Sequence, residues 1–186
     1  MDRSTGHARV ESAQPSPLVA QAISTRRLDL LPLHVEHAEE MAAVLSDPAL
    51  HTFIGGTPDT PQELRSRYQR MTAGSPDPAV SWLNWVIRLR ETSSPTGTVQ
   101  ATVGPSGPGL IAEVAWVVGT AWQGRGIAGE AARGLVDWLG RQHVQGVIAH
   151  IHPEHRASAA VATTAGLTPT DERREGEIRW HRSIGR

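Results

Sequence analysis

Glu113-Val114-Ala115-Trp116-Val117-Val118-Gly119-Thr120-Ala121-Trp122-Gln123-Gly124-Arg125-Gly126-Ile127-Ala128-Gly129-Glu130 is the stretch that decides the fold of this chain. An apolar strand runs to Val118, a short turn follows, and Gly124, Gly126 and Gly129 lead into a helix. The first backbone N–H groups of a helix have no intrahelical partner, and the helix dipole places partial positive charge there. Glycines let such a backbone close on an anion, and a pyrophosphate is the natural guest.

Three kinds of phosphate loop compete for these glycines. A P-loop needs Gly-Lys-Ser/Thr after them, and none follows. Gly124-x-Gly126-x-x-Gly129 matches the dinucleotide fingerprint by letter, but that fingerprint needs an acid at the end of the next strand. The next strand, Val147-Ile148-Ala149-His150-Ile151, offers no carboxylate until Glu154, beyond Pro153. The third pattern, Gln/Arg-x-x-Gly-x-Gly/Ala, is filled by Gln123-Gly124-Arg125-Gly126-Ile127-Ala128. With Glu113-Val114-Ala115-Trp116 before it and Glu130-Ala131 after, the segment resembles the acyl-CoA loop of the GCN5-related N-acetyltransferases (GNAT), in the branch that holds RimJ and RimL. A second segment, Ile151-His152-Pro153-Glu154-His155-Arg156-Ala157-Ser158 through Gly166-Leu167, is similar to the family's strand–Pro-x-Asn-x-x-Ser–helix–Gly-Phe stretch. His155 stands at the Asn position and Leu167 at the Phe position, while Ser158 matches.

The resemblance covers about residues 24–184 and implies a single-domain α/β (α+β) acyl-CoA N-acyltransferase fold. Its sheet is central, mixed and mostly antiparallel, has about seven strands and is flanked by helices. It implies that the fourth and fifth strands splay and that the pantetheine arm pairs with the backbone of Trp116, Val117 and Val118. The loop from Gln123 through Gly124, Arg125, Gly126, Ile127 and Ala128 to Gly129 would hold the pyrophosphate, and His155 would contact the arm. Gly129 replaces a Thr or Ser common in relatives.

The implied reaction is acetyl transfer from acetyl-CoA, as co-substrate, to a primary amine by direct attack in a ternary complex. A lysine-like amine, with pKa about 10.4, is mostly charged at neutral pH, so a base must take a proton. Glu113 is the first candidate. It matches a glutamate common in the RimJ/RimL-like branch and shares a strand face with Ala115 and Val117. His150 competes, at the end of the next strand, where an imidazole can titrate near neutrality. Ser158 is the candidate acid for the departing thiolate. The tyrosine that often serves there is absent, Ala162 standing in its place. The spacing His150-x-His152-x-x-His155 invites a metal, but no cysteine assists and these positions coincide with the expected cleft. No metal is therefore expected.

Composition bounds the rest. The chain has 186 residues, 39% of them hydrophobic, enough for one domain with a sizeable core. A net charge of −1 provides no basic field for nucleic acid or an anionic membrane. The absence of cysteine excludes disulfides and thiolate chemistry and fits a cytoplasmic setting. No apolar run approaches the roughly 18 residues of a membrane helix. Residues 1–22, rich in Ser, Pro and mixed charge, read as a flexible arm before a domain spanning 23–186.

Along the domain, strands are expected at Arg27–Leu33, Trp82–Arg90, Thr98–Val103, Ile111–Val118 and Val147–Ile151, with a closing hairpin at Leu167–Glu172 and Ile178–Ser183. Helices are expected at Val35–Ser46, after the capping box Thr60-Pro61-Gln62-Glu63, along the stripe Ile127, Ala131, Leu135, Trp138 and Leu139, and at His155–Ala165. Trp138 and Trp116 read as core, whereas Trp82, Trp85, Trp180 and Phe53 are candidates for the acceptor wall. The expected partner is an amine-bearing acceptor, a small molecule or a protein N-terminus, and a homodimer is compatible with this reading. Two other functions fit the same residues: a non-catalytic CoA-binding regulatory module, and an acetyltransferase acting on aminoacyl-tRNA.

Overall fold

Short apolar runs separated by Gly and Pro turns assemble into one sheet. The computed structural model describes residues 16–185. In chain order the strands are β1 (Ile23–Ser24), β2 (Leu28–Pro32), β3 (Ser81–Leu89), β4 (Ser94–Ser106), β5 (Gly109–Val118), β6 (Val144–Ile151), β7 (Thr168–Arg174) and β8 (Glu177–Ser183). The helices are α1 (Ala38–Val44), α2 (Pro61–Thr72), α3 (Ile127–Arg141) and α4 (Arg156–Thr164). The spatial order is β1-β2-β3-β4-β5-β6-β8-β7, with every neighbouring pair antiparallel except β5–β6. The sheet has eight strands, in line with the expected count of about seven. The extra one, β1, is two residues long, too short to show an alternation of apolar and polar side chains.

Strand alternation sorts the side chains onto two faces. Leu83, Trp85 and Ile87 of β3 join Val99, Ala101, Val114, Leu135 and Trp138 in the larger core, under α3 and α4. Val86, between them, belongs to the smaller core with Met41 of α1 and Leu64 and Tyr68 of α2. All five residues of the expected α3 stripe are buried. Both bonds of the capping box at α2 form: Glu63 N–H donates to Thr60 Oγ1 and Thr60 N–H to Glu63 Oε2, at 3.2 and 2.8 Å. The expected helix Val35–Ser46 is a 3-10 turn over Val35–His37 followed by α1, which ends at Val44, and Asp47 then accepts from Ala49 N–H to start another 3-10 turn.

Residues 1–15 of the expected arm lie outside the described residues. The rest of that segment is laid against the domain: Leu18 and Ala20 pack on the larger core. Leu18 N–H donates to Ser81 Oγ, and Trp85 Nε1–H donates to the Gln21 carbonyl. Trp85 and Trp180 are core residues, and Trp85 also lines a cavity on the α1–α2 side of the sheet. Trp85 is fully buried, edge-on to Trp138 at 5.4 Å. The strand period alone could not say which face of β3 would meet α3. No helix among the described residues is long and apolar enough to cross a membrane.

Candidate functional site

The parallel pair β5–β6 runs from Leu110↔Val144, through one register shift after Leu110, to Glu113↔Ile148 and no further. Beyond it, β5 pairs only with β4, through Val118↔Gly97, and β6 only with β8, through Ile151↔Ile178. The two strands therefore splay from Val114 and Ala149 onward. Each keeps one edge of backbone N–H and C=O groups without a strand partner. A cleft of about 630 Å³ fills the opening.

α3 begins at the mouth of this cleft. Gly124 and Gly126 both have φ +74°, a left-handed conformation that strains any residue with a Cβ. Gly126 is the N-cap, and no side chain caps the helix. The first intrahelical bond is Glu130 N–H to the Gly126 carbonyl, so the N–H groups of Ile127, Ala128 and Gly129 stand at the unpaired first turn. The loop is braced from behind. Arg27 donates through Nε to Glu130 Oε2 at 2.7 Å and through Nη1 to the Arg125 carbonyl at 3.0 Å, and Glu130 Oε1 also accepts from Thr25 Oγ1 and Arg27 N–H. Gln123 Nε2 donates to the Val118 carbonyl at 3.0 Å, closing the turn between strand and loop. Gly129 has a packing reason to lack a side chain: a Cβ there would lie 3.0 Å from Thr164 Cγ2 of α4.

Of the residues singled out in the sequence, Trp116, Val117, Val118, Gln123, Gly124, Gly126, Ile127, Ala128, Gly129, His150, His155 and Ser158 all line the cleft. Arg125 and Glu113 are not among its walls. The Arg125 guanidinium lies 5.0 Å from the centre of the Trp122 ring, a cation–π contact beside the loop. Trp122 itself is a wall that sequence reading passed over, because nothing in its spacing separates a cleft tryptophan from a core one. Ala49, Leu50, Phe53 and Ile54, from the segment that follows α1, form another side.

Glu113 and His150, the two candidate bases, are in contact. Nδ1 of His150 lies 2.8 Å from Glu113 Oε1. A carboxylate only accepts, so Nδ1 carries the proton and donates; in the neutral ring the lone pair then sits on Nε2. Arg174, at the end of β7, donates to both Glu113 oxygens, at 2.5 and 3.2 Å. The two-residue turn Glu175-Gly176, with φ +51° and +86°, sets Arg174 at this place. Burial pushes the Glu113 carboxyl up, but the hydrogen bonds from Arg174 and His150 outweigh it and hold the group below the usual carboxylate range. Glu113 is thus a clamped anion.

Ser158 and His155 form a second pair. His155 caps α4, its Nδ1 accepting from Ser158 N–H at 3.3 Å, and its Nε2 lies 3.1 Å from Ser158 Oγ. Burial, and then the neighbouring His152, push the His155 imidazole down, favouring the neutral ring. In that state Nδ1 accepts, Nε2–H donates to Oγ, and the serine O–H remains free to donate elsewhere. Phe53 stacks on the ring at 4.2 Å, fixing its plane. His152 is engaged separately, accepting from Glu154 N–H. Among the described residues no group of three or more His, Cys, Asp or Glu is placed to hold an ion.

A model of the acetyltransferase (GNAT) domain matches residues 27–168. Among solved structures, an acetyltransferase from Agrobacterium tumefaciens is 24% identical, with a TM-score of 0.68 over 97% of this chain and 99% of its own. A ribosomal-protein-alanine acetyltransferase from Vibrio fischeri is 16% identical, with a TM-score of 0.74 over 88% and 97%. RimL, a ribosomal-protein alpha-N-acetyltransferase, is 17% identical, with a TM-score of 0.72 over 88% and 98%. At such identities the likeness is one of fold. None of the curated proteins matches the sequence.

Proposed function

The chain belongs to the GNAT acetyltransferase family, and we propose that it moves an acetyl group from acetyl-CoA to a primary amine by direct attack in a ternary complex. The observation that carries this reading is the splayed β5–β6 pair opening onto the uncapped, glycine-led start of α3. The free edge of β5 at Trp116–Val118 suits an extended arm with amide groups, and the first turn of α3 suits a pyrophosphate. RimL, similar in fold, is solved with coenzyme A, which supports the same donor here.

His150 is the base in this reading, and Glu113 positions it. With Nδ1–H held by Glu113, Nε2 takes a proton from the ammonium, and the nascent imidazolium is stabilised by the carboxylate behind it. The neutral amine then attacks the thioester carbonyl, the N–C bond forms and the C–S bond breaks. Ser158 gives its hydroxyl proton to the departing sulfur, and the second proton lost from nitrogen balances it. His155 positions Ser158 by occupying its acceptor side.

The reading is tested by thermal unfolding with acetyl-CoA, NAD(P) and ATP. A ligand at a hundred times its Kd adds about 2.7 kcal/mol to a native state that alone binds it. For a chain of this length that is a rise of roughly 5–11 °C. Acetyl-CoA is expected to give it and the other two are not. Stabilisation by NAD(P) without a response to acetyl-CoA would overturn the assignment.

A further inference from the structure

A second cavity, of about 190 Å³, lies on the α1–α2 side of the sheet. It meets the cleft at Leu50, Ile54 and Val117, which line both. Ile54 at this junction is 63% exposed, an aliphatic side chain left in water until something covers it. Strand alternation puts Glu113, Ala115 and Val117 on this same face, and Glu113 holds His150 there. Glu113↔Ile148 is the last pair of β5–β6, so His150 lies across the opening from Ala115 and Val117, and all three line the cleft. A group in the second cavity would thus adjoin the same cleft that His150 lines.

The walls define what that group can be. Leu33, Leu45, Leu64 and Met71 make the cavity mainly apolar. Its volume corresponds to about six waters, the size of a small side chain. Tyr68 is 3% exposed, and its hydroxyl is the one buried side-chain polar atom without a hydrogen-bond partner among the described residues. A buried hydroxyl left unpaired is costly, and native structures rarely keep one without a use. Burial pushes the phenol up to about 12, so it remains a proton donor across the physiological range. Charge is almost spent: Asp59 on the cavity wall is bonded to Arg67 at 3.0 Å, and Glu113 is held by Arg174 and His150. Of the carboxylates near the two spaces, Glu177 is the wall residue outside these pairs.

From this geometry we propose that the acceptor is a monoamine carrying a compact, uncharged apolar substituent with a neighbouring hydrogen-bond acceptor, an α-amino amide being the simplest case. The second cavity receives the substituent, and the Tyr68 hydroxyl donates to the acceptor atom. The proposal rests on the acetyltransferase reading above and narrows it. A polyamine or aminoglycoside brings several ammonium groups to walls with too few free carboxylates. The required chemistry occurs both in free amino-acid amides and at peptide N-termini.

Thiol release from acetyl-CoA tests it, with leucinamide, a peptide starting with leucine, 3-methylbutylamine, spermidine and an aminoglycoside as acceptors. Leucinamide or the peptide is expected to exceed both polycations at least tenfold in kcat/KM. The better of the two identifies the source, a free small amine or a protein N-terminus. Tyr68→Phe should raise KM for leucinamide about 3- to 10-fold, the worth of one neutral hydrogen bond. It should leave KM unchanged for 3-methylbutylamine, which has the same apolar group and no carbonyl. The same variant should raise the melting temperature of the unliganded protein, since it removes an unpaired hydroxyl. Leu45→Trp, which fills the cavity, should cut kcat/KM for leucinamide at least tenfold while sparing glycinamide. Preference for a polycation overturns the proposal, as does a Tyr68→Phe enzyme with equal KM shifts for leucinamide and 3-methylbutylamine or with none. Binding of acetyl-CoA with transfer to none of the monoamines overturns the proposal alone. Neither acetyl-CoA binding nor transfer overturns the acetyltransferase reading and the proposal together.

Discussion

Replacing Glu113 by Gln tests whether the two candidate bases act as one unit. Glu113 Oε1 accepts the Nδ1–H of His150 at 2.8 Å, and Arg174 bonds both carboxylate oxygens. The amide keeps the shape but removes the charge that favours a proton on His150. A hydrogen bond to a charged group is worth about 1.5–3 kcal/mol. At 1.36 kcal/mol per decade that is a loss of roughly 10- to 150-fold in kcat/KM. His150→Ala removes the base itself and should cost about 10²–10⁴-fold. Because Glu113 acts only through His150, the double variant should be no slower than His150→Ala, a non-additive cycle. The assay is initial-rate thiol release across pH 6.5 to about 9.5, a window chosen around a lysine-like amine pKa of about 10.4. Both variants should recover part of their loss at the alkaline end, where more amine arrives neutral. Additive losses, or a Glu113→Gln enzyme slower than His150→Ala, would refute the positioning role and return Glu113 to being the base. Near-normal rates in both would mean that the cleft only aligns an amine that arrives neutral.

Ser158→Ala should lower kcat while leaving acetyl-CoA affinity within a few-fold, as expected of an interaction made mainly in the transition state; single-turnover kinetics and ligand titration separate the two. A loss confined to affinity would leave Ser158 a packing or capping residue. His155 is pushed down by burial and His152. Its contribution to stability is therefore complete above the ordinary histidine range and is lost as pH falls through its lowered folded value. Acidification should then weaken the cap of α4 and the rate together, whereas His155→Asn, a good N-cap that does not titrate, should flatten the acid limb of thermal stability. Gly126→Val should abolish stabilisation by acetyl-CoA, because φ +74° strains a β-branched residue and its Cβ would lie 3.4 Å from Arg27 Nη2. Retained acetyl-CoA stabilisation in a folded Gly126→Val protein would remove the loop from the binding site.

The local pattern of the sequence was enough for the elements and for the glycine-led loop that opens α3. The apolar run ending at Val118, the glycines at 124 and 126, the capping box at Thr60 and the stripe from Ile127 to Leu139 are short-range signals. Helical and strand periods, and the φ that only glycine adopts freely, write them directly into neighbouring residues. Tertiary structure decided the chemistry of the rest of the site. Glu113 and His150 are 37 residues apart, and their contact exists because β5 and β6 run parallel as far as Glu113↔Ile148 and then part. Arg174 reaches Glu113 from a third strand, which turns a candidate base into a clamped anion. The same holds for the cavity beside Tyr68, bounded by two helices and three strands, and for Trp85, whose face on β3 the period alone could not choose. A side chain's period tells which neighbours share its face. What lies against that face is set by register and packing between distant segments, and no window of sequence contains both partners.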